Sequence, residues 1–316
     1  MSFIERAVEQ LNKQAPAVGP EPTPSAPRPI EAPVATKAQQ NQQVRPIDAI
    51  EPMPCRAEPT VRIDLAVLRA DGSVAPEDEE RRLAEDYRII KRPLLKSMSG
   101  SDAPSLANLV VVTSAVPGEG KTFTSINLAL SLARERNREV LLIDGDVAKR
   151  HITHIFGLDD EPGFLDVAGA AGPDLQHTIL RTDIPSLFLL PAGNQHADAT
   201  ELLRSERTTS LLALLAAEPR RIILIDSPPL LATTEAGVLV SLAGQVIIVV
   251  KSSETPQEIV MRAVETVPEE KPVSLVLNQV VSLPERHYGY YYGNYGYGRD
   301  QGKVAGDASA PAEKHE

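Results

Sequence analysis

Tryptophan is missing from the 316 residues, phenylalanine occurs five times, and aromatic side chains make up only 4% of the chain. Any core must therefore be packed from the Val, Leu, Ile and Ala that dominate its 42% apolar content, the usual filling of a parallel sheet covered by helices. Cysteine occurs once, as Cys55, so no intrachain disulfide can form and a reducing, cytoplasmic setting is expected. Basic excess is also missing, since 32 Lys and Arg stand against 43 Asp and Glu, a formal charge of −11. That balance excludes the broad cationic face that nucleic-acid phosphates require, and no nucleic-acid partner is expected. No apolar run approaches the roughly 18 residues that suggest a membrane span. Met1–Gln14 carries Glu5, Glu9 and Lys13 where a signal peptide needs an unbroken apolar stretch. Attachment to a membrane is thus expected only through a partner.

What is present is distributed unevenly. Eleven of the 27 prolines fall in the first 60 residues, and six of the seven tyrosines fall between Tyr288 and Tyr297. At roughly 100–200 residues per domain, the length suits one large α/β domain with ends built differently. In residues 1–14, Phe3, Ile4, Ala7, Val8 and Leu11 share a helical face, which reads as an amphipathic docking helix or as a frayed end, twelve residues being marginal for an isolated helix. Residues 15–76 read as a Pro/Ala-rich disordered linker, 77–284 as the folded domain, and 285–316 as a flexible tail.

Within the domain, a helix is expected over Glu77–Met98, with Leu83, Tyr87, Ile90, Leu94 and Leu95 on one face until Pro93 kinks or ends it. Strands are expected at Leu109–Thr113, Val140–Asp144, Leu187–Leu190, Arg221–Asp226, Val246–Lys251 and Ser274–Asn278. Helices should separate them at Thr122–Arg134, Thr200–Ala217, Glu235–Leu242 and Pro256–Val267, the last with Thr255 as N-cap and Pro256 in its first position. The alternation predicts an α/β fold with a mostly parallel sheet buried on both faces, and ligands at the carboxyl ends of its strands.

Ala115-Val116-Pro117-Gly118-Glu119-Gly120-Lys121-Thr122 fits the phosphate-loop pattern with alanine in its first place, and it lies between an expected strand and an expected helix. Its backbone N–H groups and the helix dipole would face phosphate oxygens, Lys121 would reach the β and γ phosphates, and the Thr122 hydroxyl would bind Mg²⁺. Asp144 and Asp146 follow one strand, and Asp226 closes another in the Walker B arrangement. Thr122 and Asp226 suit Mg²⁺, which prefers hard oxygen ligands and keeps several waters.

These motifs, with the tyrosine cluster, resemble the bacterial P-loop tyrosine autokinases of exopolysaccharide synthesis. Ala115–Phe123, Asp226–Glu235 and the Tyr-Gly repeat resemble most the branch that accompanies exosortase-type loci. The resemblance covers about Glu80 to Gly298. It implies that Pro117–Phe123 holds ATP, with Lys121 and Thr122 binding ATP·Mg²⁺. Asp144 and Asp146 form the second acidic motif, one of them activating the tyrosine hydroxyl, and Asp226 supports the metal. Asp144 is favoured as metal-organising or base and Asp146 as metal-linked, two roles that the sequence does not separate. The family's arginine after this motif is replaced by Ala148, with Lys149 and Arg150 following.

The implied acceptors are Tyr288, Tyr290, Tyr291, Tyr292, Tyr295 and Tyr297, interleaved with glycines that deny the segment a fixed fold. About ten residues separate the last expected strand from the first tyrosine, a reach of roughly 35 Å, and the family's answer is a ring in which one subunit's tail enters its neighbour's site. Glu85-Asp-Tyr-Arg88-Ile-Ile-Lys91 resembles the ring motif, three charges on one helical surface. A separate transmembrane chain-length regulator is implied as activator, placing the chain at the inner membrane. The alternative is a partition- or septum-type ATPase, whose signature lysine is here Val116.

Overall fold

The computed structural model describes residues 53–56, 60–99, 103–169 and 172–280. Its elements run α1 Leu65–Ala70, α2 Glu80–Ser97, β1 Leu109–Ser114, α3 Lys121–Leu132, β2 Glu139–Asp144, α4 His151–Ile155, α5 Phe164–Ala168 and α6 Leu175–Thr178. They continue with β3 Leu180–Arg181, β4 Leu187–Leu190, α7 Ala199–Arg204, α8 Glu206–Ala216, β5 Arg221–Asp226, α9 Thr234–Leu242, β6 Gln245–Lys251, α10 Gln257–Glu265 and β7 Val273–Asn278. The apolar runs form strands because stiff Val and Ile side chains suit a pleated surface that is buried on both sides.

Among the described residues, seven strands make one sheet in the order β3-β4-β2-β5-β1-β6-β7. Every pairing is parallel except β3 with β4. Strand alternation divides the core in two. Leu109, Val111, Leu141, Ile143, Ile223, Ile225 and Ile248 pack against α5 and α7–α10, while Val110, Val112, Val140, Leu142, Leu224 and Ile247 pack against α1–α4. The strands β2, β5 and β1 are neighbours, and Asp144 pairs in register with Asp226. Three loops that carry polar groups therefore leave the centre of the sheet side by side.

Several expectations need correction. Residues 60–76, expected in the linker, fold onto the domain. Val61 bridges to Thr182, the Ile63 N–H donates to Asp183 Oδ1 at 3.0 Å, and Leu68 of α1 is 1% exposed, so this stretch buries apolar surface that a composition average conceals. Pro93 does not end α2. The carbonyl that it deprives of a donor belongs to Ile89, a residue on the exposed side of the helix. The expected helix 200–217 is two helices, broken where Ser205 turns extended, with its hydroxyl accepting from the Thr208 N–H to cap α8. Thr255 does not cap α10; Pro256 takes that place, and the Thr255 hydroxyl donates to Glu119 instead. Residues 1–14 and the tyrosines from Tyr288 to Tyr297 lie outside the described residues, within which no helix is long and apolar enough to cross a membrane.

Leu141, fully buried at the sheet centre, should be a sensitive position. Leu141→Ala is expected to cost about 2–5 kcal/mol, read as a lower urea midpoint with an unchanged slope.

Candidate active site

The phosphate loop begins where β1 ends. Gly118 and Gly120 hold φ of 88° and 89°, the left-handed region where glycine is unstrained, and the loop curls between them before α3 starts at Lys121. A side chain at Gly120 would collide with the Asn278 amide. Glu119 is 1% exposed and turns inward. Its Oε2 accepts from the Val116 N–H at 2.8 Å, its Oε1 accepts from the Thr255 hydroxyl at 2.6 Å and the Lys251 N–H at 3.3 Å, and its carbonyl accepts from Asn278 Nδ2 at 2.9 Å. The loop is thus lashed to the end of β6 by the Glu119 carboxylate and to the end of β7 by the Glu119 carbonyl. Pro117 and Gly118 are exposed at the tip, and Phe123 is half-buried.

Below the loop, charge is concentrated out of water. Asp144 and Asp226 are fully buried, and Asp146 is 1% exposed. Lys121 Nζ donates to Asp146 Oδ2 at 2.8 Å and lies 3.9 Å from Asp226 Oδ2. The Thr122 and Ser125 hydroxyls each donate to Asp226 at 2.8 Å, on different oxygens. Gly145 lets the pair of acidic residues lie flat against β5, since a Cβ there would sit 2.6 Å from Ile225 Cγ2. Asp144 Oδ2 accepts from both the N–H and the hydroxyl of Thr153, while its Oδ1 is buried without a partner among the described residues.

The proton affinities follow from this crowding. Burial alone would lower Lys121, but the carboxylates of Asp226 and Asp146 outweigh it and hold the ammonium above its usual value. Burial pushes Asp226 up, against the pull of Lys121 and the two hydroxyls. Burial also pushes Asp144 up to about 7, against the Thr153 donors and with help from the charges of Asp226 and Asp146. One buried ammonium thus faces three buried carboxyl groups, an environment that favours a further cation. The donor set is all hard oxygen, as Mg²⁺ prefers. Yet among the described residues no three His, Cys, Asp or Glu side chains form a metal cage, so the fit is to a Mg²⁺ held by one or two protein oxygens plus phosphates. Residues 115–122 and the aligned dipole of α3 supply the phosphate half of that arrangement.

The structure brings together every phosphate-loop and acidic residue expected from sequence. Of the cations after Ala148, Arg150 is committed to the Asp159 carbonyl at 2.7 Å, whereas Lys149 is exposed. On α2, Glu85 and Arg88 are exposed and paired with each other at 2.6 Å. Lys91, expected on the same free surface, is instead turned inward, bonded to the Ser131 carbonyl at 2.9 Å and to Glu135 at 2.7 Å, because α2 packs on α3. Sequence reasoning missed Ser125, Thr153, Thr255 and Asn278. Ser125 lies one helical turn beyond Lys121 and Asn278 is a polar end to an apolar strand, so both left a signal; Thr153 left none.

The AAA domain family matches residues 107–274. The tyrosine-protein kinase EpsB of Ralstonia nicotianae is 32% identical over 239 residues, which are 75% of this chain and 31% of that one. The tyrosine-protein kinase YwqD of Bacillus subtilis is 30% identical over 210 residues, covering 66% of this chain and 86% of that one. The solved VpsO kinase domain superposes with a TM-score of 0.54 at 28% identity, covering 65% of this chain and 100% of that one. The chain spans less than a third of the length of the first curated relatives it matches.

The raised Asp144 makes a pH-dependent contribution to stability. Folded, the group keeps its proton to about pH 7; unfolded, only to its ordinary 3.8. The contribution is therefore complete below pH 3.8 and lost as pH rises through about 7. Between pH 5 and 8, unfolding of nucleotide-free protein in urea should show the stability of wild type falling by about 3 kcal/mol relative to Asp144→Asn. A constant difference would contradict the assignment.

Proposed function

The chain belongs to the bacterial tyrosine-protein kinases built on a nucleotide-binding AAA domain, and on that premise we propose that it is an ATP-dependent tyrosine autokinase acting on its own Tyr288, Tyr290, Tyr291, Tyr292, Tyr295 and Tyr297. The observation that carries the proposal is the gathering of Lys121, Thr122, Asp144, Asp146 and Asp226 beneath the glycine loop. The bond from Asn278, which ends β7 ten residues before Tyr288, to the loop also supports the reading, because ten residues give the acceptors a reach of roughly 35 Å from that point.

In the reaction a tyrosine oxygen attacks the γ phosphorus, the bond to the β–γ bridging oxygen breaks, and ADP leaves. The tyrosine proton passes to a carboxylate. Asp144 suits that task because its proton affinity lies near neutrality and its Oδ1 is uncommitted, whereas Asp146 is engaged with Lys121. Thr122, Asp226 and, in its alternative role, Asp144 are the residues that would hold Mg²⁺, which when bound neutralises phosphate charge. Lys121 orients the β and γ phosphates once they draw it from Asp146.

Transfer is proposed to occur between subunits of a ring, the exposed Glu85 and Arg88 supplying the intersubunit charges. Each phosphotyrosine adds about −1.5 to −2 charge to a subunit already at −11, so modification opposes assembly. The activator is proposed to be a separate transmembrane chain-length regulator that brings the chain to the inner membrane, where the cycle governs exopolysaccharide polymerisation or export. The Asp226–Glu235 stretch and the Tyr-Gly repeat support the exosortase-associated branch. A partition- or septum-type ATPase without tyrosine transfer is the second reading; Val116 and the tyrosine cluster favour the kinase over it.

With labelled ATP and the activator's cytoplasmic segment, wild type should incorporate label at tyrosine. Lys121→Met should lose label by at least about 100-fold, and a chain truncated after Pro284 should lose it while still binding ATP. Phosphate release without labelled protein in wild type would favour the ATPase. Size-exclusion chromatography should find a smaller assembly after phosphorylation than before it, and equal sizes would rule out the proposed switch.

A further inference from the structure

Thr153 is fully buried in the first turn of α4, nine positions beyond Asp144. Its N–H and its hydroxyl converge on the same oxygen, Asp144 Oδ2, at 2.8 and 2.7 Å. The hydroxyl oxygen in turn accepts from the Ala192 N–H at 2.9 Å, in the turn that follows β4. A threonine within a helix commonly bonds back to the carbonyl one turn earlier; this one spends its hydroxyl on a carboxylate and a distant loop. The first-turn N–H that it offers has no helical acceptor of its own, so the carboxylate satisfies it.

The approach of α4 to Asp144 is held under strain. Arg150 enters the helix at φ 52°, a conformation that costs a non-glycine residue energy and persists only where its surroundings impose it. Those surroundings are visible. The Arg150 N–H donates to the Asp146 carbonyl at 2.7 Å, the Lys149 N–H reaches Asp146 Oδ1 at 3.3 Å, and the Arg150 guanidinium is fastened to Asp159. The strained turn folds α4 back over the end of β2 and delivers both Thr153 donors to one carboxylate oxygen. With Oδ2 saturated and Oδ1 bare, rotation of the Asp144 carboxylate would break two hydrogen bonds.

We propose that Thr153 is a positioning residue for phosphoryl transfer: its hydroxyl fixes the direction of Asp144 so that Oδ1 is the oxygen left to the reacting groups, and it ties that direction to the turn at Ala192. The proposal rests on the kinase reading above for its catalytic part and on geometry alone for its structural part. Oriented outer-shell partners of this kind commonly change activity by about 10–100-fold when removed.

The test compares full-length Thr153→Val, which keeps the shape and the N–H but loses the hydroxyl, with Thr153→Ser, which restores it. Autophosphorylation with the activator should show kcat reduced at least 10-fold in Thr153→Val, KM for ATP within about twofold of wild type, and most of the loss recovered in Thr153→Ser. Hydrogen–deuterium exchange without nucleotide should show the amide of Ala192 faster in Thr153→Val and protected again in Thr153→Ser. Wild-type kcat in Thr153→Val, an equal defect in Thr153→Ser, or a loss carried by KM would overturn the proposal. Wild type that labels no tyrosine would defeat the kinase reading and, with it, the catalytic part; unchanged Ala192 exchange would defeat the structural part whatever the labelling shows.

Discussion

The ammonium of Lys121 is the only cation in direct contact with the buried acidic group formed by Asp144, Asp146 and Asp226 among the described residues, and its 2.8 Å bond to Asp146 is the constraint around which the rest is arranged. Charges this deep cannot be left to water and must be matched locally. The sheet order answers that need by setting β2, β5 and β1 side by side, so that strand-end carboxylates and the first residue of α3 meet at one level. Hydroxyls of Thr122, Ser125 and Thr153 take up further carboxylate lone pairs. What they leave unmatched is negative charge, and that residual charge makes the site receptive to a metal–phosphate complex.

The same group explains why a short helix lies across the end of β2. Without α4 the Asp144 side chain would be buried with neither oxygen satisfied. The left-handed Arg150 that makes the crossing possible is a local cost offset by the pairing it allows. Backbone strain, a buried carboxylate and a loop on the neighbouring strand are thus parts of one arrangement.

The central sheet was legible because its strands are almost continuous runs of Val, Ile and Leu, and such runs have few other destinations. The phosphate loop and the three aspartates were legible because their spacing and their places at strand ends reflect a single chemical demand. The break at Ser205 was not, since a capping serine inside an apolar-periodic stretch looks like any surface polar residue. Nor was the anchoring of residues 60–76, where a few well-placed side chains such as Leu68 outweigh a composition that favours disorder. Lys91 illustrates the limit of spacing arguments. Its spacing sets it on α2 with Glu85 and Arg88, but its partner, Glu135, lies just beyond α3, and only packing brings the two together.

Glu119 has a consequence for motion. Its carboxylate and carbonyl join the glycine bend to Thr255, Lys251 and Asn278, so the bend cannot lift without pulling on the last strand. The end of β7 is consequently part of the phosphate cradle itself. A displacement of the bend and a displacement of that strand end are mechanically one event.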